Sequence, residues 1–436
     1  MNSSFFDKES LTEGLKNIFY TPSAAVADII DNALSAGAHN IDINFWNGEE
    51  SYIAIVDDGH GMTHEEMLNS LKIKKNININ ADKFPDLGKF GWGLKTASFS
   101  QCNFLIIISK KNKTISHVCM DSNFNIHNKT RTELYSKFKT IQNLFENRVN
   151  NSGTAIIWTS LNDDISGKNI VKNNIDNAAF YSVGQEVADY AALHFHNFLD
   201  NKNIYFNTKP INKWNPFFQY EGLQKYEKRI VKIKEQKIEI SGYLYPKEED
   251  FDDLELYQKL GGSKGWFHSQ GIYIYREDRL LDYGGWFGLC MGGANNAWQL
   301  EEKYKRCRVS IKYGRELDEY FSPTVQKNKS DIPHFLRHEL VKYCDQIRKD
   351  SIKRANKTLT SEIYNIDEII QKDILIEDPN NSKTYIIDKE HPLIKEFSER
   401  NLGKTKRDFF IEKLSSDLKK INSKKINIFK KIFGNE

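Results

Sequence analysis

The stretch Ala24-Ala25-Val26-Ala27-Asp28-Ile29-Ile30-Asp31-Asn32-Ala33-Leu34-Ser35-Ala36-Gly37 decides how the rest of this chain is read. At helical period Val26, Ile29, Ile30, Ala33 and Leu34 share one side, the spacing of a core-facing stripe. Asp28, Asp31, Asn32 and Ser35 share another. Two carboxylates a turn apart repel on an isolated helix, so an acidic, short-chained stripe calls for a reason. Asp28 and Asn32 stand four residues apart and point into the same volume. A carboxylate beside an amide oxygen can hold a hydrated Mg²⁺ and polarise a water. Taken alone, the segment reads more simply as a solvated helix face.

Its flanks sharpen the reading. Pro22-Ser23 is a start signal and Gly37 a natural cap. Ile41-Asp42-Ile43-Asn44-Phe45-Trp46 alternates like a strand, and Asn47-Gly48 turns the chain into Tyr52-Ile53-Ala54-Ile55-Val56, a buried strand. That strand runs into Asp57-Asp58-Gly59-His60-Gly61-Met62, which sets a carboxylate at a mouth where a flat ligand can approach. By itself this is an ordinary Asp-Gly turn. Thr63-His64-Glu65-Glu66 outlines a capping box, and the polar, aperiodic stretch Lys72 to Asn80 suits a mobile lid. Leu87-Gly88-Lys89-Phe90-Gly91-Trp92-Gly93-Leu94-Lys95-Thr96-Ala97-Ser98 places glycines and two lysines before a helix, an anion-binding arrangement, and a strand follows from Phe104 to Ser109.

Each motif is weak singly, but an acidic Asp-x-x-x-Asn helix, then Asp-x-Gly-x-Gly, then Gly-x-Gly-x-Lys-Thr is an improbable chance order. The trio resembles the GHKL (Bergerat-fold) ATPases, which include DNA gyrase, MutL, the ninety-kilodalton heat-shock chaperone, histidine kinases and the Microrchidia (MORC) proteins. "AVADIIDNALSAGA", "IVDDGHGM" and "LGKFGWGLKTASFSQC" look most like MORC proteins and their bacterial relatives, and Lys95 is a mark of that branch. The likeness continues through Gly153-Thr154-Ala155-Ile156-Ile157-Trp158 and covers most of residues 20–335.

The resemblance implies a role for each matching residue. Asn32 would coordinate Mg²⁺ bridging the phosphates of ATP. Asp57 would accept a hydrogen bond from the adenine amino group, Gly59, Gly61 and Met62 would wall the base, and Thr154 would assist through water. Gly91, Trp92, Gly93 and Leu94, with Lys89, Lys95 and Thr96, would hold the phosphates. The family's general base is a Glu four residues before the Asn, and here that position is Asp28. An Asp reaches one methylene less far, so slow hydrolysis is expected.

Past residue 220, Lys228 to Ile240 is basic and strand-compatible, Glu248 to Asp253 is an acidic loop, and Gly271 to Arg276 and Arg306 to Ile311 read as strands, with Arg279-Leu280-Leu281 between them. This order is similar to the transducer domain of gyrase, MutL and MORC proteins, whose lysine reaches the terminal phosphate. Val325-Gln326-Lys327-Asn328-Lys329-Ser330-Asp331 matches the family's Asn-Lys-x-Asp pattern at Lys329, with Lys327 as the fallback. The pattern over Arg337 to Asp373 predicts a short helical hairpin, and residues 403–433 one or two basic amphipathic helices, packed on the body or bound to DNA phosphates.

The expected fold is therefore α+β: a GHKL α/β sandwich over residues 1–220, a ribosomal-protein-like transducer α/β domain over 221–345, and a helical, basic C-terminal region over 346–436. The net charge of +3 conceals ten Lys/Arg against four Asp/Glu in residues 401–436, so residues 1–400 carry −3 and are not a uniformly basic nucleic-acid binder. Five scattered cysteines without a C-x-x-C pair fit reduced thiols and argue against zinc. No signal peptide and no apolar run of spanning length is read, so a cytoplasmic protein without membrane association is expected.

The resemblance implies ATP and Mg²⁺ as ligands. It further implies an ATP-dependent homodimer whose lid over residues 63–90 closes on nucleotide, with DNA and proteins of a restriction or phage-defence system as partners. An ATP-sensing scaffold with little hydrolysis and a chaperone-like protein clamp are the competing readings. A histidine kinase, a topoisomerase and a MutL-type nuclease are disfavoured, because their further motifs are not seen.

Overall fold

A computed structural model describes residues 20–48, 50–71, 93–162, 177–251, 253–291, 297–321, 331–369, 375–378, 381–388 and 394. Lys89, Gly91, Trp92, Lys327 and Lys329, most of the expected lid and the helices expected over 403–433 lie outside these residues. The chain divides into two compact units, residues 1–351 and 352–436.

The acidic helix forms as α1 (Pro22–Ser35), because its start and stop signals are complete. Thr21 caps it by accepting from Ala24 N, and Pro22 occupies the first turn, where no amide donor is needed. At its end Gly37 adopts φ +77°, Gly37 N donates to Leu34 O and Ala38 N donates to Ala33 O. That pair of bonds satisfies the last carbonyls and turns the chain sharply into the first strand.

Eight strands make the first sheet: β1 (Asn40–Trp46), β2 (Tyr52–Asp57), β3 (Cys102–Lys111), β4 (Thr114–Asp121), β5 (Ile126–His127), β6 (Gly153–Leu161), β7 (Asn203–Phe206) and β8 (Lys209–Pro210). Their order is β5-β4-β3-β6-β2-β1-β7-β8, antiparallel except where β1 runs parallel to β7. One face carries Ile41, Ile43, Phe45, Ile53, Ile55, Ile107 and Trp158. It packs under α1, a short helix α3 (Gly93–Phe99, following α2 at His64–Leu71) and α6 (Asn177–His194). Trp158 is wholly buried and its indole donates to Ser98 Oγ at 2.9 Å.

The opposite face is covered too. Tyr52, Ala54, Val56, Ile106, Ile108 and Ile157 pack against Leu134 of α4 (Arg131–Lys137) and Ile141 and Phe145 of α5 (Lys139–Arg148). The sandwich therefore has a second helical layer that the sequence reading did not foresee. The alternation of β1 marks a strand buried on both faces. Asp42 and Asn44 are buried, and Arg148 Nε of α5 meets Asp42 Oδ2 at 3.0 Å. Burial raises the Asp42 carboxyl above its ordinary value against the pull of Arg148.

A second sheet contains β9 (Gln224–Lys225), β10 (Arg229–Ile233), β11 (Gln236–Leu244), β12 (Gly271–Arg276), β13 (Arg279–Tyr283) and β14 (Cys307–Tyr313). The path runs β10-β11-β14-β12-β13, with β9 beside β11 and with β12 parallel to β14. Between β11 and β12 lie α7 (Leu254–Gly261) and α8 (Gly265–His268). Arg308 on β14 is wholly buried, its guanidinium donating to Pro216 O and Leu260 O at 2.7 Å each. The rings of Trp214, Tyr245 and Trp266 surround it at 5.6, 4.9 and 4.7 Å. A buried cation survives here because aromatic faces and carbonyls replace its hydration.

The hairpin of helices expected over 337–373 is instead one helix, α10 (His334–Ile369), which follows a four-residue helix α9 (Asp318–Phe321). No Gly or Pro interrupts α10, so nothing in the backbone ends it early. The C-terminal region is also not wholly helical, since β15 (Leu375–Asp378) and β16 (Asn381–Ile387) form a hairpin.

Arg308→Ala removes a donor from each of two buried carbonyls, leaving Pro216 O only the Tyr245 hydroxyl, and empties the space between three aromatic rings, so it should lower the free energy of unfolding by about 3 kcal/mol or more. Urea unfolding measures this, and an unchanged midpoint would show that the cluster holds without the guanidinium.

Candidate functional site

A cleft of about 390 Å³ opens between α1, the loop leaving β2, the first turn of α3 and β6. Its lining includes Asp28, Asn32, Asp57, Gly61, Met62, Gly93, Leu94 and Thr154, all of them sequence-predicted site residues from four separate segments. Among the described residues Ile29, Ala33, Ser35, Ala36, His60, Ser70 and Ile156 also line it.

The loop after β2 reaches α1 through glycine geometry. His60 N donates to Ala36 O at 3.0 Å, just past the helix end. A Cβ on the intervening Gly59 would lie 2.9 Å from Ala36 Cβ and from Asp57 Oδ1, so a larger residue would force the loop away. Gly61 has φ +66°, and a Cβ there would fall 2.0 Å from the Lys110 carbonyl oxygen. Gly59 N also donates to Asp57 Oδ1 at 2.8 Å. The role of Gly59 here is to hold Asp57, and it does not itself line the cleft.

Two adjacent carboxylates are treated oppositely. Asp58 loses hydration, yet hydrogen bonds from Asn40 and from His39 N hold its carboxyl below the ordinary range. Asp57 is 6% exposed, and burial pushes its carboxyl up to about 6 despite the Gly59 bond. Asp58 is thus consumed in fixing β1 to the loop, while Asp57 faces the cleft. A carboxylate shifted by burial inside a concave site marks a functional group.

Ser109, which the sequence reading treated only as a strand end, ties the wall together. Its hydroxyl accepts from Met62 N at 2.7 Å, donates to Gly153 O at 2.9 Å and lies 2.9 Å from Thr154 Oγ1. A small polar residue closing the apolar run Phe104 to Ile108 was its only signal in the sequence.

Asp28 is 5% exposed, and its Oδ2 accepts from the hydroxyl of Tyr20. That phenol orients the carboxylate and occupies one of its oxygens. Tyr20 is itself buried at the entrance to α1, where its carbonyl accepts from Gln101 Nε2 at 3.0 Å. Burial, then the Asp28 charge, raise the phenol far above its ordinary value, so it stays a donor. Nothing in the sequence pattern singled out Tyr20.

Asn32 is exposed at the cleft. Gly93 has open space where a Cβ would sit. Lys95 and Thr96, expected at the phosphates, are wholly buried in α3 and do not line the cleft. Thr96 Oγ1 donates back to Gly93 O at 3.1 Å. Among the described residues no three His, Cys, Asp or Glu gather as a metal cluster. A Mg²⁺ at Asn32 fits that donor set, since this ion takes few protein ligands and keeps phosphate oxygens and waters.

A helix laid across a sheet, with a ligand-sized cleft lined by an acid, an amide and a glycine loop, gives this α/β domain its candidate binding site. Residues 20–154 match the family of histidine kinase-, DNA gyrase B- and HSP90-like ATPases. The chain is 29% identical over 104 residues to the ATPase morc-1 of Caenorhabditis elegans, covering 24% of this chain and 12% of that protein. It is 34% identical over 96 residues to the DNA mismatch repair protein MutL of Thermosipho melanesiensis, covering 21% and 17%. It is 48% identical over 46 residues to MutL of Clostridium perfringens, covering 11% and 7%. The match thus spans under a fifth of each of these relatives. Among the described residues no helix is long and apolar enough to cross a membrane.

Asp57→Asn tests the buried charge. The carboxyl is neutral below about pH 4 in both folded and unfolded chains, and the cost of burying it grows as pH rises to about 6. Above that pH the cost is complete, roughly 3 kcal/mol. The variant keeps an acceptor for Gly59 N but carries no charge. Its stability relative to wild type should therefore rise between pH 4 and pH 6, read as the difference of the two melting curves. A difference that stays flat with pH would mean the carboxylate is not charged at a cost in the fold.

Proposed function

We propose that this chain binds ATP in the cleft, hydrolyses it slowly with Mg²⁺, and uses its nucleotide state to gate pairing with a second copy. The observation that carries the reading is the convergence of Asp28, Asn32, Asp57, Gly61, Gly93 and Thr154 on one cleft. In it Asp57 accepts from the adenine amino group, Gly61 and Met62 wall the base, and Thr154, braced by Ser109, supplies a hydroxyl beside it. Asn32 holds Mg²⁺, which when bound neutralises phosphate charge. Asp28 takes the proton from the attacking water, its carboxylate oriented by Tyr20. Gly91, Trp92, Lys89 and, from the second sheet's side of the chain, Lys329 are assigned to the phosphates by family likeness.

The same likeness supports the setting. Similarity to MORC and MutL proteins favours a clamp that acts with protein partners on DNA, in bacterial restriction or phage defence. A region over 221–345 acting as transducer would let one lysine report whether the third phosphate is present, because a ligand shifts an equilibrium only through differential contacts.

A second reading, an ATP-sensing scaffold that barely hydrolyses, is favoured by the shorter Asp28 and by the engagement of one of its oxygens by Tyr20. Phosphate release separates the two.

Asp28→Asn should keep fluorescent-ADP affinity within about threefold of wild type while turnover falls roughly 10²-fold. Turnover at the wild-type rate would remove Asp28 as the base. Light scattering of the wild-type chain should show a dimer with a non-hydrolysable ATP analogue and a monomer with ADP. A monomer under every nucleotide would sink the clamp.

A further inference from the structure

Asp31 stands between Asp28 and Asn32 on α1 but does not line the cleft. It points to the second sheet. Arg279, the first residue of β13, sets its Nε 3.2 Å from Asp31 Oδ1, across 248 positions of sequence. Arg279 is 6% exposed, and its guanidinium has several partners. Its Nη1 donates to Leu280 O at 2.6 Å and to His194 O at 3.3 Å, and its Cζ lies 3.9 Å over the Phe195 ring. His194 stacks on Tyr190 at 3.6 Å, and its Nδ1 lies 2.7 Å from the same Leu280 carbonyl. Burial, then the Arg279 charge, push the His194 imidazole well below its ordinary value, so it is a neutral donor. The end of α6 and the start of β13 are thus locked together, and the lock reaches the helix of the cleft.

The geometry points to Arg279 as a positioning residue: through Asp31 it fixes α1, and with it Asp28 and Asn32, to the second sheet. This inference rests on the reading of the cleft as an ATP site, and it adds a route by which the second sheet sets hydrolysis without touching nucleotide. A guanidinium pre-held by two carbonyls and a ring has little freedom left to lose on meeting Asp31, which makes it a stiff link. It also offsets the charge that Asp31 brings one turn from Asp28, where like charges repel. A displacement of β13 along the helix would move the base relative to the phosphates, and a small misplacement there is costly.

The test compares the full chain with D31N, R279Q, R279K and the D31N/R279Q double variant. Saturated phosphate release, binding of fluorescent ADP, and amide exchange over residues 22–35 without nucleotide are read for each. D31N and R279Q should each lower kcat about tenfold or more while ADP affinity stays within about threefold. The double variant should be no slower than R279Q alone, and R279K should recover part of the loss. Exchange over 22–35 should quicken in D31N and R279Q. D31N is isosteric and decides the matter if R279Q fails to fold. Unchanged exchange over 22–35 in D31N would overturn the link, as would additive losses or a parallel loss of turnover and ADP affinity. If the wild type released no phosphate, the proposed activity would fall, and amide exchange would still decide the link by itself.

Discussion

Everything in the cleft depends on how closely the chain leaving β2 approaches the end of α1. One backbone hydrogen bond, from His60 N to Ala36 O, closes that approach. It forms because Gly59 has no side chain to collide with Ala36 and because Gly61 can turn through a positive φ against the Lys110 carbonyl. The capping bonds at Gly37 and Ala38 aim the helix end toward the same point. Asp57 is carried into a dry corner by this closure, and its elevated carboxyl follows from the lost hydration. The site's electrostatics are thus a consequence of its backbone packing.

Much of that was legible in advance, for a physical reason. Helix caps, glycine turns and the apolar stripe of Val26, Ile29, Ile30 and Ala33 are local signals, encoded within a few residues of where they act. The motifs therefore found α1, β2 and the loop between β2 and α2, and matched segments that the fold brings to one cleft. Local signals fail where a distant segment decides. Alternation in β1 marks a strand but not what covers it, and α5 arrives from a hundred residues away to meet Asp42. That Asp58 is spent on the fold follows only from Asn40 and His39 claiming its carboxylate. Lys95 and Thr96 follow the glycines in sequence, yet packing of α3 leaves both buried.

The buried cations show the same division. Arg308 and Arg279 are unremarkable letters in strand-like segments, and charge alone would place them at a surface. One is enclosed by Trp214, Tyr245 and Trp266, the other by Phe195 and the carbonyls of His194 and Leu280. Each becomes affordable in the interior only after partners from several elements have replaced water. Arg279 then meets an acid on the very helix that lines the cleft.

By itself, the sequence determined the family likeness of residues 20–154, the helix that bears Asp28 and Asn32, and the strand that ends in Asp57, because these rest on short-range patterns of caps, periodicity and glycines. Only the tertiary structure decided that Tyr20 holds Asp28, that Ser109 braces Thr154, and that Asp31 belongs to Arg279. Those pairings join residues from 8 to 248 positions apart. Their strength comes from burial and exact distance, which exist only once the sheets and helices have packed.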